Sequence, residues 1–142
     1  MSLDQDQVRD FASSYTEAWC GGDPTRVAGH FAPGGTIAIN GGPPTEVTEV
    51  ARSFMSTFPD LHLRMDDVVF KDELVEFHWT CVGTNTGPGG TGNRVRFSGF
   101  EEWTFGEDGL VAESQGHYDQ ADYERQLDAA HQSLSSHHRS SP

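Results

Sequence analysis

The sequence predicts an α+β fold in which three N-terminal helices wrap a curved, cone-shaped antiparallel or mixed sheet. Two observations carry that prediction. Before Pro59 the apolar residues recur at helical spacing in three segments. After Asp60 they alternate with polar residues at period two through four strands. A sheet of this size cannot leave an apolar face in water, and helices with one apolar stripe each are what cover it. Long aromatics on both layers prop the sheet away from the helices at one end, leaving a cavity for a small hydrophobic molecule.

The first helix places Val8, Phe11, Ala12, Tyr15, Ala18 and Trp19 on one face, with Asp4 as its cap and Gly21-Gly22 as its end. Asp23-Pro24 starts a short second helix with Val27, Ala28 and Phe31 as its apolar face, stopped by Pro33-Gly34-Gly35. Thr36–Asn40 reads as a short strand and Gly41–Pro44 as a turn. A third helix carries Val47, Val50, Ala51, Phe54, Met55 and Phe58 on one side and closes at Pro59. The strands then follow: Leu61, Leu63 and Met65; Val75, Phe77, Trp79 and Cys81; Val95–Phe105; and Leu110–Tyr118. The last two are joined by the turn Gly106-Glu107-Asp108-Gly109. A final helix starts near Asp119 and includes Tyr123 and Leu127.

The chain has 142 residues, the size of one domain, expected over residues 1–129; residues 130–142, rich in Ser and His, read as a disordered tail. The formal net charge is −13, from 22 acidic and nine basic residues, with Lys71 the single lysine. With no basic run or stripe, neither nucleic acid nor an anionic membrane surface is an expected partner. No apolar run approaches the roughly 20 residues that span a bilayer, and no signal peptide opens the chain, so the expected location is cytoplasmic. Cys20 and Cys81 read as two small buried hydrophobes rather than a disulfide.

Chemistry-bearing residues concentrate late in the chain. Alternation puts Glu113, Gln115, His117 and Asp119 on one strand face, with Tyr118 on the other. If that face looks into the cavity, Asp119 is a carboxylate in apolar surroundings, a better base near neutral pH; alternatively it caps the last helix. His117 would relay a proton or bind a substrate oxygen. His117 and Asp119 are also half of a metal site, but no third ligand is placed, so no metal is expected. Glu101 shares parity with Phe97, Trp103 and Phe105, which turns it inward unless a bulge at Ser98-Gly99 flips the strand. Tyr15 and Trp19 are one turn apart, either lining the cavity or filling the core, as are Phe54, Phe58 and Trp79. Gly87-Pro88-Gly89-Gly90-Thr91-Gly92 spells G-x-G-x-x-G, but strand follows it where a phosphate-binding helix is required, so it reads as a hairpin loop.

Several stretches together resemble the SnoaL-like polyketide cyclase family of the nuclear-transport-factor-2-like superfamily. They are Tyr15-Thr16-Glu17-Ala18-Trp19 followed by Gly22-Asp23; Phe58-Pro59-Asp60; Trp79 to Gly87, similar to the family's W-x-x-x-G-T-H-x-G; Gly109 to Glu113 followed by Tyr118-Asp119; and Gln126-Leu127. The chain departs from the pattern with Asn85 where His is usual, Gln115 where Trp is common, and no glycine after Leu127. The resemblance implies a homodimer through the sheets and an acid/base role for Asp119. The expected activity is proton transfer at carbon, of aldol cyclase or isomerase type, on an apolar oxygenated, polyketide-like substrate. Tyr15, Asn85 or His117 would hold the enolate oxygen, and Trp19, Phe54, Phe58, Trp79, Glu101 and Gln115 would complete the substrate pocket. A carbonyl-activated proton needs only a base and an oxyanion partner, so no cofactor is expected. A binding module with the same pocket and no turnover, or a dimeric assembly protein, is the alternative.

Overall fold

The computed structural model describes residues 4–72 and 74–128; the expected tail from residue 130 lies outside the described residues. Helix α1 spans Gln5–Cys20, α2 Pro24–Ala28 and α3 Val47–Thr57; residues 120–128 form a further helix, α4. The strands are β1 (Phe31–Ile39), β2 (Thr45–Glu46), β3 (His62–Phe70), β4 (Val75–Thr84), β5 (Arg94–Phe105) and β6 (Val111–Tyr118). They form one six-stranded mixed sheet in the order β2-β1-β6-β5-β4-β3. All neighbours run antiparallel except β1 and β6, which are parallel. The class is α+β, with an open sheet. Among the described residues no helix is long and apolar enough to cross a membrane.

The helix caps follow from local chemistry. Asp4 accepts a hydrogen bond from the Asp6 N–H, and Asp23 accepts from the N–H groups of Thr25 and Arg26, satisfying donors that a helix start leaves free. Helix α2 is shorter than expected: it ends at Ala28, and Phe31 already belongs to β1. The Pro33-Gly34-Gly35 segment does not separate helix from strand but sits inside β1, where the pairing with β6 slips between Phe31 and Thr36. Glycine is required there, because a Cβ on Gly35 would lie 2.8 Å from the Ala32 carbonyl oxygen. The two-residue β2 has no sequence signature, being a brief pairing of Thr45 and Glu46 against β1 just before α3.

The core lies between the helices and the inner sheet face. Val8, Ala12, Tyr15 and Ala18 of α1 and Val47 and Ala51 of α3 meet Leu63, Phe77, Cys81, Phe97 and Trp103. On β5 the parity is unbroken: Thr80, Trp79 and His78 pair in register with Ser98, Gly99 and Phe100, so no bulge forms at Ser98-Gly99. Gly99 instead makes room, since a Cβ there would meet the Trp79 ring at 2.8 Å and the His117 carbonyl oxygen closer still. The bulge falls on β6, where Glu113 opposes Thr104 but Val111 opposes Phe105, leaving Ala112 as the extra residue. Cys81 is buried, whereas Cys20 is exposed, against expectation, and its thiol bonds to the Leu63 carbonyl.

Candidate functional site

A pocket opens between the inner sheet face, α1 and α3, walled by Trp19, Phe54, Trp79, Phe97, Glu101 and Tyr118, with Ile37, Ile39, Leu63 and Cys81 between them. Its volume is about 500 Å³, the open mouth included. A shallower cleft shares Ile39, Val50 and Phe54 with it and adds Thr45, Glu49 and Ser53, which sets the mouth between β1 and α3. The wall is almost wholly apolar, and among the described residues Glu101 is its one carboxyl.

The parity of β5 aims Glu101 inward, and the strand register explains why it fits there. It lies opposite Phe77 on β4 and Gly116 on β6, and the glycine leaves space on that side. The residue is 5% exposed. Its Oε1 accepts hydrogen bonds from Trp103 Nε1 at 2.9 Å and Ser114 Oγ at 2.7 Å, and its Oε2 accepts one from the Tyr15 hydroxyl at 2.9 Å. Burial pushes the Glu101 carboxyl above its ordinary range, and the bonds from Ser114, Trp103 and Tyr15 offset only part of that. Tyr15 is held well above the usual phenol range, first by burial and then by the charge that Glu101 carries when ionised. Cys81 is desolvated, its thiol pushed up to about 12, which makes it an inert wall and not a nucleophile.

The expected residues divide accordingly. Trp19, Phe54, Trp79 and Glu101 reach the pocket wall. Tyr15 stands behind it, fully buried and touching the pocket through Glu101. Phe58 is core, packed against Phe97, Tyr123 and Gly83. Asn85 is buried away from the wall: its backbone pairs with Asn93 and its side chain donates to Thr91 Oγ1. The glycine-rich loop this closes is tied to α4 through Thr91 and Asn93, both bonded to the Leu127 carbonyl.

The expectation for the last strand is corrected. Ser114, Gly116 and Tyr118 face inward, and Gln115 and His117 face the other side of the sheet. His117 Nε2 lies 2.7 Å from Glu102 Oε1 on that outer face, and Gln115 is exposed. Asp119 is exposed too, and its Oδ1 accepts the Asp122 N–H at 3.0 Å, so it caps α4 outside the pocket. The signal that could have set this parity is chemical: Glu113, Gln115 and His117 are the residues a strand turns to water, while Ser114, Gly116 and Tyr118 are small or aromatic and pack. The smallness of Ser114 marks only its inward parity; that it holds Glu101 depends on the pairing of β6 with β5 and has no signal within its own strand.

A family model for the SnoaL-like domain matches residues 12–114, most of the chain. No protein of curated function is matched by sequence. Solved structures share the fold at low identity. A protein assigned as a SnoaL-like polyketide cyclase from Jannaschia sp. CCS1 superposes with a TM-score of 0.74 at 18% identity, covering 91% of this chain and 98% of that one. SalBIII, an epoxide hydrolase/cyclase-like enzyme with a role in pyran ring formation in the polyether salinomycin, gives 0.72 at 15% identity, covering 84% and 95%. A protein of ketosteroid isomerase-like fold from Catenulispora acidiphila DSM 44928, solved with trimethylamine, gives 0.71 at 13% identity, covering 82% and 91%.

Proposed function

Because the chain belongs to the SnoaL-like domain family, we propose that it is a small-molecule pocket enzyme moving a proton at carbon in an apolar, oxygenated substrate. The observation that carries this is Glu101, one carboxyl buried in an otherwise apolar wall and lifted above its ordinary pKa range. A carboxyl so placed is a stronger base when ionised and, when protonated, an acid at the point of contact. It takes the proton from a carbon next to a carbonyl, holds it, and returns it to the carbon or oxygen of the rearranged product. The hydrogen bonds from Tyr15, Trp103 and Ser114 fix its orientation, so that no reorganisation is needed as charge moves. This role passes to Glu101 from Asp119, whose place at the head of α4 keeps it from the substrate.

Solvent deuterium exchange into the α-positions of 1-indanone, followed by NMR, tests the reading. Wild type should exchange, and Glu101→Gln should be slower by about 10²–10⁴-fold, the usual worth of positioned acid–base catalysis. Equal exchange rates in the two proteins would sink it. A second reading, binding without turnover, is favoured by the three protein donors that already occupy most of the acceptor capacity of Glu101. Binding of 1-indanone with no exchange above background would select that reading.

The outer sheet face supports a homodimer. There Phe100 lies between the rings of His78, stacked at 5.2 Å, and His117, at 4.8 Å. This half-buried aromatic stack sits on the side turned away from the helices, a surface suited to a second copy. Light scattering should show a dimer at micromolar concentration and a monomer for Phe100→Glu.

A further inference from the structure

A serine and a histidine meet away from the pocket. Ser14 lies midway along α1, and its Oγ is 2.9 Å from Nε2 of His30, in the turn between α2 and β1. The other ring nitrogen, His30 Nδ1, is 2.9 Å from the Arg26 carbonyl oxygen. A carbonyl oxygen only accepts, so Nδ1 carries the proton of the neutral ring and Nε2 is left as the acceptor facing the serine hydroxyl. Packing holds the imidazole in place. Phe11 and Tyr15 stand T-shaped to it, with ring centroids at 5.1 and 5.5 Å, and the His30 carbonyl accepts the Val111 N–H. A hydroxyl inside a helix commonly bonds back to the carbonyl four residues earlier, as Thr16 does with Ala12. Ser14 turns to the imidazole instead. Both residues are half-buried, open to reagents in solution.

We propose that Ser14 and His30 form a nucleophile–base pair, with the Arg26 carbonyl orienting the base, that takes the acyl group from an activated ester. A serine within hydrogen-bond reach of a base that a third group orients is the arrangement that activates a hydroxyl. Ser14 Oγ attacks the acyl carbon while its proton passes to His30 Nε2; the bond from that carbon to the leaving oxygen breaks, and the leaving group departs with the proton. Water then attacks the acyl-serine and gives a proton to His30, which returns one to Ser14 Oγ as the carboxylic acid leaves. The surroundings set the substrate class. Ser14 sits inside α1, where the backbone N–H groups are bonded along the helix and none is free for the oxyanion, so the leaving group must be a weak base, as in an aryl ester. Phe11, against the His30 ring, and Phe105, 5.3 Å from Phe11, are half-buried and offer apolar ground for the aryl or acyl part. Neither Ser14 nor His30 belongs to the pocket wall, so this activity is independent of the reaction proposed there.

The probe is p-nitrophenyl acetate. The whole chain, mixed with it, quenched in acid and digested for mass spectrometry, should carry acetyl on Ser14 and should release p-nitrophenolate faster than buffer does. Ser14→Ala should abolish both signals. His30→Phe keeps a ring against Phe11 and Tyr15 but removes the base, and should slow acetylation by about 10²–10⁴-fold. Ser13→Ala, at the exposed serine next in the chain, should behave as wild type. Acetyl found only on Lys71 or at other positions would overturn the proposal, as would acetylation of Ser14 at equal rates in wild type and His30→Phe. Either result would leave the pocket reading untouched. The position of the acetyl group in wild type decides the matter even if a variant folds poorly.

Discussion

Glu101 and Glu102 are neighbours on β5 and meet opposite environments. Glu101 points into the core, shielded from water and held by Tyr15, Trp103 and Ser114. Glu102 points to the outer face, where His117 meets it at 2.7 Å and water reaches both partners. The same side chain is a polar keystone on one face and one partner of a surface hydrogen bond on the other. Chemical identity does not distinguish them; one step of strand parity does, through the solvation that it grants or removes.

The largest expected effect sharpens that contrast. Glu101→Ala leaves three buried donors without an acceptor and opens a hole beneath the pocket, and should cost about 2–4 kcal/mol of unfolding free energy in urea titration. A loss no larger than that of a surface substitution would break the comparison. Next, Gly99→Ala should cost about 1–3 kcal/mol, because its new methyl meets the Trp79 ring and the His117 carbonyl oxygen on a strand that cannot shift without moving both faces.

The pH dependence follows from the direction of the Glu101 shift. Its folded pKa is raised, so the native protein keeps a proton that the unfolded chain has already released. The associated stability is fully present below the unfolded pKa and is lost as pH rises through the folded value, at no more than about 1.4 kcal/mol per pH unit. Glu101→Gln has no proton to lose. The stability difference between wild type and this variant, measured across acid to neutral pH, should therefore move against wild type as pH rises. A difference that is flat, or moves the other way, would show that Glu101 is not desolvated. Asp60 behaves oppositely, its pKa held down by the Thr84 N–H and hydroxyl, so its contribution is lost as pH falls; it is common to both proteins and cancels.

Smaller effects belong to the exposed carboxyls. Asp119→Ala should cost about 1 kcal/mol and Asp119→Asn only a few tenths, the pattern of a helix cap, with 1-indanone binding unchanged in both. A large loss of binding in Asp119→Asn would return that residue to the site. Glu102→Ala should change stability by less than about 0.5 kcal/mol, since an exposed pair with His117 is screened by solvent. Thermal or urea unfolding resolves the first, and the second should fall near the limit of detection.

The amino-acid sequence by itself determined the class and the order of elements. Helical spacing before Pro59 and alternation after Asp60 are local signals, produced by the geometry of one helix or one strand against one apolar surface. It offered the inward parity of Glu101 only on condition that no bulge formed at Ser98-Gly99, and the unbroken register of β5 on β4 met that condition. What tertiary structure alone decided was the parity of β6 and the identity of the pocket wall. On β6 the bulge at Ala112 breaks the alternation, so the strand's register depends on what β5 and β1 offer it. The grouping of Tyr15, Glu101, Trp103 and Ser114 joins residues from α1, β5 and β6 whose separation along the chain reaches 86 positions for Tyr15 and Glu101. Hydrogen bonding across such distances, and the burial that gives a carboxyl its altered acidity, arise from packing between elements. No spacing within a single element encodes them.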